Sequence, residues 1–146
     1  MKKYFFIILL IFVLDRFTKV YMLKNPSPIF WGGFLDLQIN KGVAFSLPMT
    51  YLLLYPLIFI ILLLLFWFWK KDFNKRNILM WPWALIIIGA ISNFMDRVQY
   101  GGVIDFISVP YFTVLNLSDI YISLGVVWVL WYSWFFNKNG EYRAKK

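Results

Sequence analysis

Four long runs of apolar residues, separated by polar segments, dominate the pattern of the chain. The clearest is the uninterrupted run YLLLYPLIFIILLLLFWFW at residues 51–69. As a helix it would rise about 28 Å, which matches the roughly 30 Å hydrocarbon layer of a bilayer. The other runs are less uniform, because polar residues interrupt them or lie at their ends. The pattern predicts four membrane-spanning helices, over residues 4–23, 51–69, 78–95 and 114–136.

The longest polar stretch covers residues 24–50, between the first two predicted helices. It contains the turn-rich NPSPIFWGG and then FLDLQIN, in which apolar and polar residues alternate as in a half-exposed strand. We therefore expect an all-α membrane protein with a small extracytoplasmic β-element between helices 1 and 2. Because no linker or repeat divides the sequence, residues 1–146 are expected to form a single domain.

The first apolar run follows Lys2 and Lys3, as the apolar part of a cleavable signal peptide would. No small-residue cleavage site follows it, since the next residues are LDRFTKVYML. A retained first helix is the better interpretation.

Composition argues against a soluble enzyme and restricts the available chemistry. Apolar residues make up 62% of the 146 residues and charged residues only 15%, and a small soluble domain could not bury so much apolar surface. The sequence has neither Cys nor His, which removes disulfides, thiolate nucleophiles and the usual His-dependent catalysis. Proton transfer must therefore rest on Asp, Glu, Lys or Tyr. We expect no metal and no cofactor.

The net charge of +8 is distributed as a membrane-topology signal. With four spans and a cytoplasmic N-terminus, ten basic residues lie on the cytoplasmic side and five on the other, as the positive-inside rule requires. Both termini are then cytoplasmic. The same distribution argues against a nucleic-acid partner, because the outer side carries equal numbers of acidic and basic residues.

Four carboxylates lie at similar depth near the outer ends of the predicted spans. Ionisable groups at this depth are costly and are usually paired or functional. Asp15 and Lys19, one helical turn apart, fit a structural ion pair, whereas Asp96 needs a partner other than its neighbour Arg97. The four carboxylates are Asp15, Asp96, Asp105 and Asp119.

Asparagine residues accompany these carboxylates. Asn93 precedes Asp96 by three residues, Asn116 precedes Asp119 by three, and Asn40 lies in NKGVAFS. Hydrogen bonding between membrane helices explains one or two such residues. Three at the outer end indicate a polar pocket, because a site for a peptide backbone needs groups that both donate and accept.

Two aspartates at one site can cleave an amide without Cys, His or metal. Like charges at close range share a proton, so one carboxylate acts as base on a water while its protonated partner polarises the carbonyl. The residues alone do not select the pair among the four outer carboxylates. Asp105 and Asp119 are slightly favoured, because no Lys or Arg lies near either in sequence.

Four stretches resemble motifs of the bacterial lipoprotein signal peptidase (signal peptidase II) family, in the family's order and on a four-span frame. A single NxxD would carry no weight, but the combination of NxxDR, GxVxDF and NxxD on four spans is highly specific. The stretches read DRFTK, NKGVAFS, GAISNFMDRVQYGGVIDFI and LNLSD.

The resemblance implies an aspartic endopeptidase that removes signal peptides from diacylglyceryl-modified prolipoproteins, cutting just before the lipidated cysteine. It implies a multi-pass protein of the bacterial cytoplasmic (inner) membrane, with its site near the extracytoplasmic face and an outer β-cradle that FLDLQIN could supply. Asp105 and Asp119 correspond to the catalytic carboxylates. Positions matching the family's substrate pocket are Asn40, Asn93, Arg97 and Asn116. Supporting positions are Asp15, Lys19 and Asp96.

The chain departs from the family's motifs at five positions. Ile88 and Ser92 replace two glycines, Arg16 replaces a glutamine, and Leu115 and Ser118 replace the usual Phe and Ala. None of these changes removes a proposed catalytic group. They bear on substrate preference and rate more than on reaction type. The expected partners are prolipoproteins and membrane lipid, and the chain is expected to be a monomer.

Three other functions fit parts of the sequence. A Ser/Lys membrane protease would use Lys19 or Lys41 as base, but the acids cluster better than any Ser–Lys pair. A transporter or channel would distribute ionisable groups through the depth of its helices, whereas the helix centres here are nearly free of charge. A scaffold would explain the composition but not the paired Asp and Asn segments. The candidate nucleophiles of the protease are Ser46, Ser92, Ser108, Ser118 and Ser123.

Overall fold

Each of the four apolar runs forms one long helix, and the polar segments supply a three-stranded sheet. A computed structural model describes residues 2–25, 34–42, 51–73, 79–111 and 113–138. In chain order the elements are α1 (Lys2–Lys24), β1 (Leu35–Asn40), α2 (Tyr51–Phe73), α3 (Met80–Tyr100), β2 (Val103–Val109), β3 (Thr113–Leu115) and α4 (Leu117–Lys138).

The first helix stays close to its predicted span, whereas the second and third helices extend beyond theirs, α2 as far as Phe73. α1 continues through the polar DRFTK segment, because Asp15 and Lys19 of that segment are buried against other helices and paired. α3 continues past residue 95 to Tyr100. It ends where Gly101 adopts a left-handed conformation (φ 70°) and donates its N–H to the Arg97 carbonyl at 3.0 Å. Glycine is the residue that adopts this conformation without steric cost.

The fourth predicted span begins too early, because residues 114 and 115 lie in β3 and the helix begins at Leu117. Asn116 separates the two elements. Its Oδ1 accepts the N–H of Asp119 at 3.0 Å, while Asp119 Oδ2 accepts the N–H of Asn116 at 3.2 Å. This reciprocal arrangement has the form of a capping box, and the NxxD spacing in the sequence is the signal that could have located it.

The β-element is larger than the sequence predicted and joins two parts of the chain. β1 is the expected strand of FLDLQIN, and it pairs antiparallel with β2, which pairs antiparallel with β3. Two of the three strands therefore come from the connection between α3 and α4, and not from the segment between the first two helices. The register places Gln38 opposite Asp105 and Asn40 opposite Val103. The two connections are thus held together beside the candidate residues.

α3 is the central helix of the described structure and packs against α1, α2 and α4. Glycines allow α3 and α4 to approach closely. A Cβ on Gly89 would lie 2.6 Å from the Ser118 carbonyl oxygen, and one on Gly125 would lie 2.6 Å from the Pro82 carbonyl oxygen. At the start of α3, an apolar cluster completes the contact, and its members are Leu79, Trp83, Ile86 and Tyr132.

The helices present large apolar side chains to their surroundings. Leu10 of α1 is 67% exposed, Leu52 of α2 is 85% exposed and Leu130 of α4 is 63% exposed. Within the described residues, one helix is long and apolar enough to cross a membrane by length and composition, over Leu52–Lys70. Soluble monomers rarely expose so much contiguous apolar surface, so these faces need an apolar environment.

Candidate active site

Asp105 and Asp119 reach the same region from different elements. Asp105 lies in β2 and is 3% exposed, and Asp119 lies in the first turn of α4. Asn116 connects them: its Nδ2 donates to Asp105 Oδ1 at 2.6 Å, and its Oδ1 accepts the backbone N–H of Asp119 at 3.0 Å. The structure therefore brings together the two carboxylates that the sequence favoured.

The environment of Asp105 favours retention of a proton. Burial, and next the negative charge of Asp119, raise the pKa of Asp105 to about 6. Hydrogen bonds act in the opposite direction, because Asn116 Nδ2 and Asn40 Nδ2 (3.1 Å from Oδ2) donate to the charged carboxylate. Burial prevails, so Asp105 titrates far closer to neutrality than a free aspartate.

Both carboxylate oxygens of Asp119 also accept hydrogen bonds. Asn93 Nδ2 donates to Oδ1 at 2.8 Å, and the backbone N–H of Asn116 donates to Oδ2 at 3.2 Å. All three asparagines that the sequence assigned to the substrate pocket thus donate to one of the two carboxylates. No sequence pattern indicated this role, because an amide side chain can serve a substrate or a neighbour equally well.

Arg97 lies beside the carboxylate pair near the end of α3. Its Nη1 donates to the Asn93 carbonyl and its Nη2 to the Gly42 carbonyl, both at 3.2 Å. Its buried Nε has no hydrogen-bond acceptor within the described ranges. The Tyr55 hydroxyl, which sequence reasoning missed, donates to the Arg97 carbonyl at 2.9 Å and ties α2 to this point. A guanidinium has five N–H donors, so Arg97 retains donors for a peptide carbonyl.

A buried cluster of charges lies between α1 and α3, close to the pair. Lys19 is fully buried, with its Nζ 2.7 Å from Asp96 Oδ2 and 3.3 Å from Asp15 Oδ2. The i, i+4 ion pair of Asp15 and Lys19 is therefore present. Asp96 has the further partner that its sequence position required, because Arg16 Nη1 lies 2.5 Å from Asp96 Oδ1.

Three residues of this cluster were not among those expected at the aspartate site. The Ser92 hydroxyl donates to the Asp15 carboxylate, and Arg16 Nη1 donates to Ser92 Oγ at 3.1 Å. Lys19 Nζ lies 3.4 Å from Ser118 Oγ. The signal that could have found Arg16, Ser92 and Ser118 is that each departs from the motif it stands in.

The same contacts bear on the Ser/Lys alternative. Lys19 Nζ lies 3.4 Å from both Ser92 Oγ and Ser118 Oγ. All three residues are fully buried, and the ammonium donates to the hydroxyls, so no substrate carbonyl can reach either serine. Ser46 lies outside the described residues. Within the described ranges, no group of three or more His, Cys, Asp or Glu could hold a metal ion.

Comparison with known proteins gives the family. A family model described as signal peptidase (SPase) II matches residues 7–135. The chain belongs to the signal peptidase II family. Signal peptidase II enzymes are an aspartic protease family, which agrees with two aspartates that Asn116 connects in a chain without Cys or His.

Individual relatives of this signal peptidase II chain cover most of its length. A lipoprotein signal peptidase of Pelagibacter ubique is 37% identical over 90% of this chain and 87% of the relative. One of Pelodictyon phaeoclathratiforme is 34% identical over 86% of each. The fold is similar to that of a bacterial membrane enzyme solved by the in meso method at 2.3 Å resolution, with a TM-score of 0.78 and 23% identity over 95% of this chain and 92% of the other.

The motif departures of this signal peptidase II are not scattered through the structure. Arg16, Ser92 and Ser118 meet in the buried cluster around Lys19. The other two are Leu115 in β3 and Ile88 in α3, and both are half-buried.

Proposed function

We propose that this signal peptidase II removes signal peptides from diacylglyceryl-modified prolipoproteins, with Asp105 and Asp119 as its catalytic pair and the cut just before the lipidated cysteine. The observation that carries the proposal is that Asn116 contacts both residues. It donates to the Asp105 carboxylate and caps the helix turn that bears Asp119. Two aspartates held together in this way suit amide hydrolysis without a metal.

In the proposed mechanism the pair shares one proton. The raised pKa of Asp105 makes it the carrier of that proton, and it donates to the oxygen of the scissile carbonyl. Asp119 takes a proton from a water molecule, whose oxygen attacks the carbonyl carbon. The tetrahedral intermediate collapses as the C–N bond breaks. Asp119 passes the proton it took from water to the leaving amine, and a hydroxyl of the intermediate returns a proton to Asp105 as the new carboxyl group forms.

In this proposal Arg97 is the main residue that orients the substrate. The guanidinium N–H groups that it does not use on the Asn93 and Gly42 carbonyls can donate to a peptide carbonyl near the pair. Asn40, Asn93 and Asn116 hold the carboxylates in place. Asn40 and Asn93, which are not fully buried, would also contact the substrate. The acyl chains of the lipidated cysteine would lie against the exposed apolar helix faces, because these faces otherwise meet only membrane lipid.

We further propose four membrane spans in the cytoplasmic membrane, with both termini inside and the carboxylate pair near the outer face. Exposed apolar side chains on α1, α2 and α4 support this arrangement, as does the excess of basic residues on the inner side. The sheet and the pair then lie at the same membrane surface, where a translocated precursor emerges. The protein acts as a monomeric single domain, with prolipoproteins and lipid as its partners and no nucleic acid.

The test is cleavage of a diacylglyceryl-modified prolipoprotein by the purified, detergent-solubilised protein, with the products identified by mass spectrometry. We expect one cut before the lipidated cysteine, no cut in an unlipidated control, and no effect of a chelator. Asp105→Asn and Asp119→Asn should each lower kcat by about three orders of magnitude or more, because each removes one half of the proton-transfer pair.

Asp36→Asn is the matched control, because Asp36 lies in β1 and accepts its hydrogen bond from the exposed Gln38, outside the site. It should leave kcat unchanged. Turnover retained in either variant of the pair would refute the assignment of Asp105 and Asp119. Failure of the folded wild-type protein to cut the lipidated precursor would refute the substrate.

A further inference from the structure

Lys19 makes contacts that an ordinary helix-packing ion pair would not need. It is fully buried where α1 meets α3 and α4. Its two shortest contacts are to Asp96 Oδ2 at 2.7 Å and to Asn93 Oδ1 at 2.9 Å. Both partners lie on α3. Asn93 also contacts α4, which bears Asp119, and Asp96 also contacts β2, which bears Asp105. Lys19 is therefore linked to each carboxylate of the pair through one intervening residue of α3.

The first route runs to Asp119. An asparagine amide has an acceptor on one side and donors on the other, and its orientation is set by its neighbours. The Lys19 ammonium on Oδ1 of Asn93 directs the NH₂ group of that amide to Asp119 Oδ1, 2.8 Å away. Without the ammonium, the amide could turn and place its carbonyl oxygen against the carboxylate.

The second route runs to Asp105. Asp96 Oδ2, which accepts from Lys19, also accepts the backbone N–H of Ile104 at 3.4 Å. Ile104 is fully buried and directly precedes Asp105 in β2. The charge of Asp96 is balanced by Lys19 on one oxygen and Arg16 on the other, so the acceptor that holds this strand is itself fixed from two sides.

We propose that Lys19 is a positioning residue for the cleavage reaction, and that it orients Asp119 through Asn93 and Asp105 through Asp96. The proposal rests on the proposed function of the aspartate pair. Lys19 cannot touch the substrate, because it is fully buried, so its effect passes through its neighbours. Ser92 and Ser118 add hydroxyls around its Nζ at 3.4 Å, and they restrict the ammonium to this position.

The experiment uses Lys19→Met and the double variant Lys19→Met/Asp96→Asn. The single variant leaves Asp15 and Asp96 with Arg16 as their one cation, which threatens folding. The double variant removes one positive and one negative charge, so the cluster stays neutral, and the amide oxygen introduced at position 96 can still accept the Ile104 N–H. Lys24→Met is the matched control, because Lys24 is an exposed residue of the same helix.

All variants are assayed as full-length protein in detergent, with kcat and KM measured on the lipidated precursor and the folded fraction measured by thermal unfolding. We expect the double variant to lose about 10- to 100-fold in kcat per folded enzyme, with KM within about threefold of wild type, because small displacements of reacting groups reduce the chemical step. Lys24→Met should match the wild type in both constants.

Two results would overturn the proposal. One is a wild-type kcat per folded enzyme in either Lys19 variant. The other is failure of both variants to accumulate as folded protein, which would make Lys19 a structural residue only. Asp119→Asn is measured in the same series to separate this proposal from the proposed function. If Asp119→Asn is inactive and the Lys19 variants are not impaired, only the positioning role fails; if Asp119→Asn is active, the aspartate pair itself fails.

Discussion

At the scale of single residues, the two aspartates of the site differ in what surrounds them. Asp105 is almost fully buried in a strand and faces the charge of Asp119, and these two influences raise its pKa to about 6. Asn40 and Asn116 donate hydrogen bonds that favour the charged form but do not prevail. A carboxyl kept close to neutrality in this way is suited to giving and taking a proton.

This raised pKa also predicts a dependence of stability on pH. The folded protein binds the Asp105 proton more tightly than the unfolded chain, so the free energy of unfolding falls as pH rises from the unfolded pKa near 4 to the folded pKa of about 6. Asp105→Asn removes this loss, at most about 3 kcal/mol. We expect its thermal midpoint to exceed that of wild type above the folded pKa and to approach it below the unfolded pKa.

The measurement is thermal unfolding in detergent across that pH window, with Asp36→Asn as the comparison. Asp36 lies in the same sheet but outside the site, so its variant reports what a carboxylate-to-amide change elsewhere in the sheet does to the thermal midpoint. A constant difference between Asp105→Asn and wild type at every pH would mean that the Asp105 carboxyl has an ordinary pKa.

The sequence predicted which residues are candidates for the site more completely than it predicted their contacts. The aspartates and asparagines were found from their spacing and from motif resemblance. The partners of Asp96 were not found, because Arg16 lies 80 positions away in the chain and only the packing of α1 on α3 brings it within 2.5 Å. Residue types predict which groups need partners, and tertiary packing determines which partners they receive.

At the scale of elements, the contact between α3 and α4 sets the geometry of the site. Asn93 is on α3 and Asp119 is on α4, and their 2.8 Å hydrogen bond depends on how closely the two helices approach. Gly89 permits that approach next to Ser118, the residue before Asp119. Small residues in membrane helices commonly have this role.

Gly89→Ala should therefore lower both stability and activity. Its Cβ would lie 2.6 Å from the Ser118 carbonyl oxygen and 2.8 Å from Ile122, so the start of α4 must move. Overpacking of this kind costs about 1–3 kcal/mol, and the displacement should reduce kcat about tenfold or more. The measurement is kcat per folded enzyme together with the thermal midpoint.

Gly125→Ala is the matched comparison, because its Cβ meets backbone at the same 2.6 Å but further along α4, against Pro82. It should lower stability to a similar degree while leaving kcat per folded enzyme near wild type. Equal losses of kcat in the two variants would show that the helix contact acts as one unit and that Gly89 has no special bearing on the site.

The elements also show where sequence patterns are weakest. Apolar runs predicted all four helices, because a long and largely apolar run favours a helix over a strand even where polar residues interrupt it. They misplaced the start of α4, because apolar residues such as Val114 and Leu115 occur in strands as well as in helices, and here they form part of β3. The strand β2 was missed because its alternation is short and its partner β1 lies more than 60 positions earlier. Pairing between distant strands leaves little mark on either strand alone.

At the scale of the whole molecule, the hydropathy of the helices and the apolar faces they expose give different counts of membrane spans. By length and composition, one described helix can span it. The remaining helices carry the charged cluster or many aromatic residues, which lowers their hydropathy even though their outer faces are apolar. In α1 the charges of Asp15 and Lys19 are buried and paired, so they do not face lipid. Four spans are therefore compatible with a single strong hydropathy signal.

The proposed topology can be tested because the chain has no Cys, so that one introduced Cys is a unique label. Gln38→Cys places it on the exposed surface of β1, and Lys75→Cys places it in the basic segment after α2, outside the described residues. In intact spheroplasts, a membrane-impermeant maleimide should label the first variant and not the second, and permeabilisation should expose both. Labelling of Lys75→Cys alone from outside would show that the topology is the reverse of the proposed one. Asp105 lies opposite Gln38 in the sheet, so the carboxylate pair would then face the cytoplasm, where a translocated precursor could not reach it.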